Sequence, residues 1–156
     1  MGLICISVQN QINTRYIFFL CFIYTDRTLD IYVKVSTSDE NLSDVKKEIE
    51  TTIFKTFDNL EVCKESASAN KIHMELTKFG RQILSVRQGS VIITITCETL
   101  EALDDLYQRW NTGRLARMFV SAFITNDHPQ GVTVTVTIDD SEWARCRQQL
   151  RQTGIV

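Results

Sequence analysis

Residues 89–123 read GSVIITITCETLEALDDLYQRWNTGRLARMFVSAF, and their pattern is strand, helix, break, helix. Val91, Ile93, Ile95 and Cys97 fall on one side of a strand and Ile92, Thr94 and Thr96 on the other, because side chains alternate with period two. Thr99 is the expected N-cap of a helix with the apolar stripe Leu100, Leu103, Leu106, Tyr107 and Trp110, and Glu98 and Glu101 favour its positive start. Asn111, Thr112 and Gly113 end that helix, since glycine takes the left-handed conformation that stops one. A second stripe, Leu115, Met118, Phe119, Ala122 and Phe123, predicts another helix folding back over the same sheet face. No catalytic motif lies in this stretch.

The flanking segments complete a sheet. Residues 82–87 predict a strand that turns through Arg87, Gln88, Gly89 and Ser90 into the 91–97 strand. Downstream, GVTVTVTID alternates from Val132 to Ile138, and Asp139 and Asp140 are placed to cap a final helix over 141–150, with Trp143, Cys146, Arg147 and Leu150 on one side. Upstream, Leu29, Ile31, Val33 and Val35 alternate with Asp30, Tyr32, Lys34 and Ser36, a half-buried strand. Leu42, Val45, Ile49, Ile53, Phe57 and Leu60 then predict one long helix with Asn41 as cap. In 62–78, ESASAN reads as a loop and Ile72, Met74 and Leu76 alternate as a short strand.

The expected fold is α+β, a ferredoxin-like split βαβ sandwich: a four-stranded antiparallel sheet with helices on one face, plus an additional C-terminal helix. Residues 29–152 form this domain, and 1–28 are set apart as an apolar leader. The run YIFFLCFIY at 16–24 is shorter than the roughly 20 residues of a spanning helix, and no basic start or A-x-A-like site makes it a signal peptide.

A chain of 156 residues with 44% hydrophobic content is long enough for one core. Its net charge of −2 gives no general attraction to nucleic acid or acidic membranes, so neither is expected as a partner. Five cysteines without a CxxC pair read as reduced thiols of a cytoplasmic protein. No GxGxxG, GxxxxGK[ST] or GxSxG motif occurs, no His/Cys spacing suits zinc, and no cofactor is expected. His73 and His128 are far apart in sequence, and Cys97 sits on an apolar face. The pairs Asp104/Asp105 and Asp139/Asp140 read as helix solvation and capping. The 91–97 strand carries no aromatic residue on which an RNA base would stack.

Two surfaces remain as candidates for a protein partner. One is the outward sheet face, Tyr32, Lys34, Thr94, Thr96, Thr133 and Thr135, continued by Ile92 and Thr137. The other is a basic rim at the break between the two central helices, Arg109, Arg114 and Arg117, suited to an acidic partner.

At 89–115 the wording GSVIITITCETLEALDDLYQRWNTGRL resembles the TRADD-like N-terminal domain family, the adaptor module of the TNF-receptor-associated death-domain protein and related invertebrate signalling proteins. The GS before an apolar strand, Cys97, the LEALDDLY helix and the Gly113 break carry the resemblance. It implies an α/β sandwich, no catalysis, and a protein-binding role in intracellular death-receptor or innate-immune signalling with TRAF-type partners. A small-ligand sensor or enzyme of ferredoxin-like shape is the alternative from a different class, since fold alone does not separate them.

Overall fold

The computed structural model describes residues 27–152. Residues 1–26 of the leader assigned to 1–28, with the apolar run at 16–24 and the expectations attached to it, lie outside the described residues. Strand β1 (Thr28–Thr37) begins one residue inside the segment assigned to that leader, and a short 3-10 turn (Glu40–Leu42) leads into α1 (Ser43–Asp58). There follow α2 (Leu60–Glu65), α3 (Ala67–Leu76), a 3-10 turn (Lys78–Gly80), β2 (Gln82–Arg87) and β3 (Val91–Thr96). The chain continues through α4 (Leu100–Asn111), α5 (Arg114–Phe123), β4 (Val132–Ile138) and α6 (Asp140–Gln152). The described residues are thus α+β, with six α-helices and a four-stranded antiparallel sheet in the order β2-β3-β1-β4.

The alternation read from the sequence sets the register. Ile31 lies opposite Ile93 and Val33 opposite both Val91 and Val136, so these inward side chains meet in the same layer. All five are at most 7% exposed. Onto this face α1 delivers Ile49, Ile53 and Phe57, α4 delivers Leu103 and Leu106, and α5 delivers Leu115, Phe119 and Phe123. Phe57 sits 5.6 Å from Phe119 and 5.9 Å from Phe123, joining α1 to α5 across the core. Burial of each such side chain contributes about 1.5–3 kcal/mol.

The region between Asp58 and Lys78 departs from expectation. The long helix does not run on to Leu60: Asn59 adopts an extended conformation (φ −127°, ψ 108°) and its side chain accepts from the Glu61 and Val62 amides, starting α2. Ser66 repeats the device (φ −100°, ψ 119°), accepting from Ala69 N and starting α3. The loop and strand expected over 62–78 are therefore two helices. A helix cap outweighs continuation of an apolar period here because it satisfies amides that a helix start otherwise leaves orphaned. The spacing of Ile72, Met74 and Leu76 resolves accordingly: Ile72 and Leu76 are one helical turn apart and buried, while Met74 is 56% exposed.

At the other end of that first helix Asn41 does not act as the cap: the N-cap position is Leu42, which makes no side-chain cap bond, and Asp39 caps the preceding 3-10 turn by accepting from the Asn41 amide. Thr99 caps α4 as expected, bonding the Ala102 amide, and Gly113 separates α4 from α5 at φ 78°. A side chain at Gly113 would be strained by that conformation and would press on the Arg117 guanidinium.

Asp139 caps α6 through the Ser141 and Glu142 amides. This helix bridges two layers. In its first turn Glu142 accepts from the Tyr32 hydroxyl of the outward sheet face, and one turn on Arg147 pairs with Asp104 of α4 and lies over the Trp143 ring. Arg147 is thus anchored to a neighbouring helix.

Candidate partner-binding surfaces

The sheet face divides into a buried and an open half. Thr133, Thr135 and Thr137 of β4 and Lys34 of β1 are exposed, as expected. Thr94 and Thr96, placed on the same partner surface by alternation, are 8% and 2% exposed and are withdrawn from it. Thr94 Oγ1 donates at 2.6 Å to Asp30 Oδ1, whose other oxygen takes the Arg87 guanidinium at 3.0 Å. Alternation gives the side of the sheet a residue faces but not whether that side is covered, and at β3, an inner strand, the face closes. Tyr32 is half-buried and its hydroxyl ionises above the usual range, first because burial disfavours the phenolate and then because Glu142 and Asp30 stand close.

Of the arginines expected as a basic rim, Arg109 and Arg114 belong to a network that starts in the interior. Arg81, between the 3-10 turn and β2, has its side chain fully enclosed. It donates to the carbonyls of Glu75 and Leu76 at the end of α3, to the Ala102 carbonyl at 2.6 Å and to Asp105 Oδ2 at 2.9 Å. Asp105 also holds Arg109 at 2.7 Å, and Arg109 reaches the Glu75 carboxylate. Glu75, only 6% exposed, accepts two bonds from Arg114 at 3.0 and 3.2 Å and one from Lys78 at 3.5 Å. Asp105 is therefore a structural carboxylate and not a solvated helix residue, and Arg109 is held by two anions instead of lying free on a rim. Before this knot the chain passes through Phe79, a non-glycine residue at φ 57°.

Arg114 and Arg117 also line an open groove of about 400 Å³ between α3 and α5, with Lys71, Met118 and the hydroxyls of Ser68 and Ser121. Arg117 donates to the Thr112 carbonyl at 3.0 Å, which steadies it across the Gly113 break. At the groove and the knot beside it the cations Lys71, Lys78, Arg81, Arg109, Arg114 and Arg117 stand with two engaged carboxylates, Glu75 and Asp105, while of the other α4 acids, Glu101 and Asp104, the latter pairs with Arg147 of α6. The region is thus locally positive on a chain whose net charge is −2. Lys71, Ser68 and Ser121 were not found by sequence reading. The signal was present in RLARMFVSAF, an α5 without an acidic residue, but α3 had to be a helix before Lys71 could face it.

Burial pushes the Cys97 thiol up to about 12, with the nearby Cys146 adding to the effect. His73 is lowered, by burial first and then by Lys64. His128 accepts from the Thr125 amide at 2.9 Å within its own loop. Among the described residues no group of three or more His, Cys, Asp or Glu side chains is arranged to hold a metal ion, and no helix is long and apolar enough to cross a membrane. No protein family, curated protein or solved structure matches the chain.

Proposed function

We propose that this chain is a non-catalytic protein-interaction module, and that the groove between α3 and α5 docks an acidic segment of a partner protein. The observation that carries the reading is the unbalanced charge at that groove: Lys71, Arg114 and Arg117 converge on it, while the carboxylates nearby are already engaged inward. A complementary anionic segment meets less self-repulsion there than elsewhere on the acidic chain, which favours its encounter and fixes its orientation. The order β2-β3-β1-β4 together with the βαββαβ sequence of elements supports a ferredoxin-like arrangement in which α2, α3, α6 and the second of the two helices between β3 and β4, α5, are additions. The resemblance of residues 89–115 to the TRADD-like N-terminal domain supports the same class of role: a cytoplasmic adaptor in death-receptor or innate-immune type signalling, with TRAF-type proteins as first candidates.

Lys71→Glu and Arg117→Glu change exposed residues outside the Glu75 knot, so folding is expected to persist. Each should weaken capture of partners several-fold in a pull-down from the source cell, and raised salt should mimic both. Partner recovery that ignores both reversals and salt would remove the groove from the reading. A saturable rise in melting temperature with a small anionic metabolite, lost in the same variants, would replace the adaptor by a ligand sensor.

A further inference from the structure

We propose that the group seated in the groove between α3 and α5 is a phosphorylated serine or threonine of the partner protein, so that docking depends on the partner's phosphorylation state. This rests on the docking reading above and adds the chemistry of the bound group. On α5, Arg114, Arg117 and Ser121 follow at steps of three and four; on α3, Ser68 and Lys71 are three apart. Residues at those steps share a helix face, so each helix turns one stripe of donors to the same opening. Three cations and two hydroxyls, all on exposed residues, thus surround a space of about 400 Å³.

These donors are still open. Lys71 and Arg117 form no ion pair among the described residues. Arg117 gives Nη1 to the Thr112 carbonyl, which leaves Nε and Nη2. Arg114 gives Nε and Nη2 to Glu75, which leaves Nη1. Ser68 Oγ lies 3.3 Å from Ser66 Oγ, and with Ser66 as donor the Ser68 proton is available to the groove. No carboxylate lines the space, and Glu75 beside it is already held by Lys78, Arg109 and Arg114.

A phosphomonoester carries about −1.5 to −2 charge at neutral pH on three strong acceptor oxygens. A carboxylate carries one charge in one plane, and a single guanidinium fork satisfies it. Cations approaching from two helices, with hydroxyls between them, suit the tetrahedral dianion, whose acceptor sites outnumber what one fork can fill. Met118 supplies an apolar wall for the carbon atoms next to the phosphate. None of the lining residues is aromatic, so a nucleotide base has no ring to stack on. A phosphoinositide headgroup offers the same phosphate, but on an anionic surface that does not attract a chain of net charge −2.

NMR titration of the full chain compares two capped five-residue peptides, one with a central phosphoserine and one with two glutamates for a similar net charge. The phosphoserine peptide should bind roughly tenfold tighter, the effect of one further charge-assisted hydrogen bond, with shifts centred on Ser68, Lys71, Arg117 and Ser121. Ser68→Ala and Ser121→Ala should each weaken the phosphoserine peptide about fivefold and leave the diglutamate peptide unchanged. Lys71→Gln and Arg117→Gln should weaken both. Equal binding of the two peptides at the groove, or serine variants that bind phosphoserine as before, would overturn the phosphate inference and leave acidic-segment docking standing. No shift at the groove with either peptide would remove both readings. Capture of the chain by phosphatidylcholine vesicles carrying a phosphoinositide, with no preference for phosphoserine over diglutamate, would overturn the inference in favour of a lipid headgroup.

Discussion

Replacing Arg81 by methionine keeps much of its volume while removing every donor it contributes. Three main-chain carbonyls, those of Glu75, Leu76 and Ala102, lose a charge-assisted partner, and Asp105 is left with Arg109 alone. The site excludes water on the Arg81 side, so these groups are not resolvated when the guanidinium goes. Breaking a buried ionic knot in this way costs about 3–5 kcal/mol, a large part of the roughly 5–15 kcal/mol that holds a domain of this kind. Arg81→Lys should recover only part of the loss, because an ammonium on a flexible stem cannot serve acceptors on two helices at once. Asp105→Asn should cost less than Arg81→Met, since the three carbonyls keep their donor. Urea titration with an unchanged denaturant slope is the assay. A loss below about 1 kcal/mol for Arg81→Met, or a lysine variant as stable as the original, would refute the view that this side chain ties α3 to α4.

Glu142 has its pKa raised, chiefly by burial and then by Asp30 and Asp139. The folded state therefore holds the proton more tightly than the unfolded state, and stability falls as pH rises from the ordinary carboxylate value through the raised one. Glu142→Gln should flatten that fall and raise the melting temperature at neutral pH; an unchanged pH profile would count against it. Cys97, buried with its thiol pushed up to about 12, should resist alkylation in the native protein and react at the rate of global unfolding when urea is added. Native-state labelling as fast as that of an unstructured peptide would contradict its placement.

Much of the sheet was legible because alternation is a direct imprint of strand geometry, as in Val91, Ile93 and Ile95 or the whole of β4. The helices α4 and α5 were legible for the same reason at a period of 3.6, with Thr99 and Gly113 marking their limits. The two helices α2 and α3 were not, because they are short and their starts depend on single side chains, Asn59 and Ser66, that also suit loops. The surfaces were least legible. Thr94 and Thr96 look like open threonines until the covering of their end of the sheet is known. Glu75, in a segment read as strand and loop, gave no sign that it would collect Arg109 and Arg114, a contact that spans elements distant in the chain.

The aromatic corner between α4, α6 and β4 has an optical consequence. Both tryptophans of the chain lie there: Trp110 is hydrogen-bonded to β4, Trp143 stands 4.7 Å from the Tyr107 ring, and Tyr107 is 5.3 Å from Trp110. Tryptophan emission thus observes this corner, with Tyr107 passing its excitation to either neighbour, whereas far-ultraviolet ellipticity also samples the other helices of the described residues. An emission change that leads the loss of ellipticity during a melt would time the release of α6 from α4, and superimposable curves would mark the corner and the core as one cooperative unit.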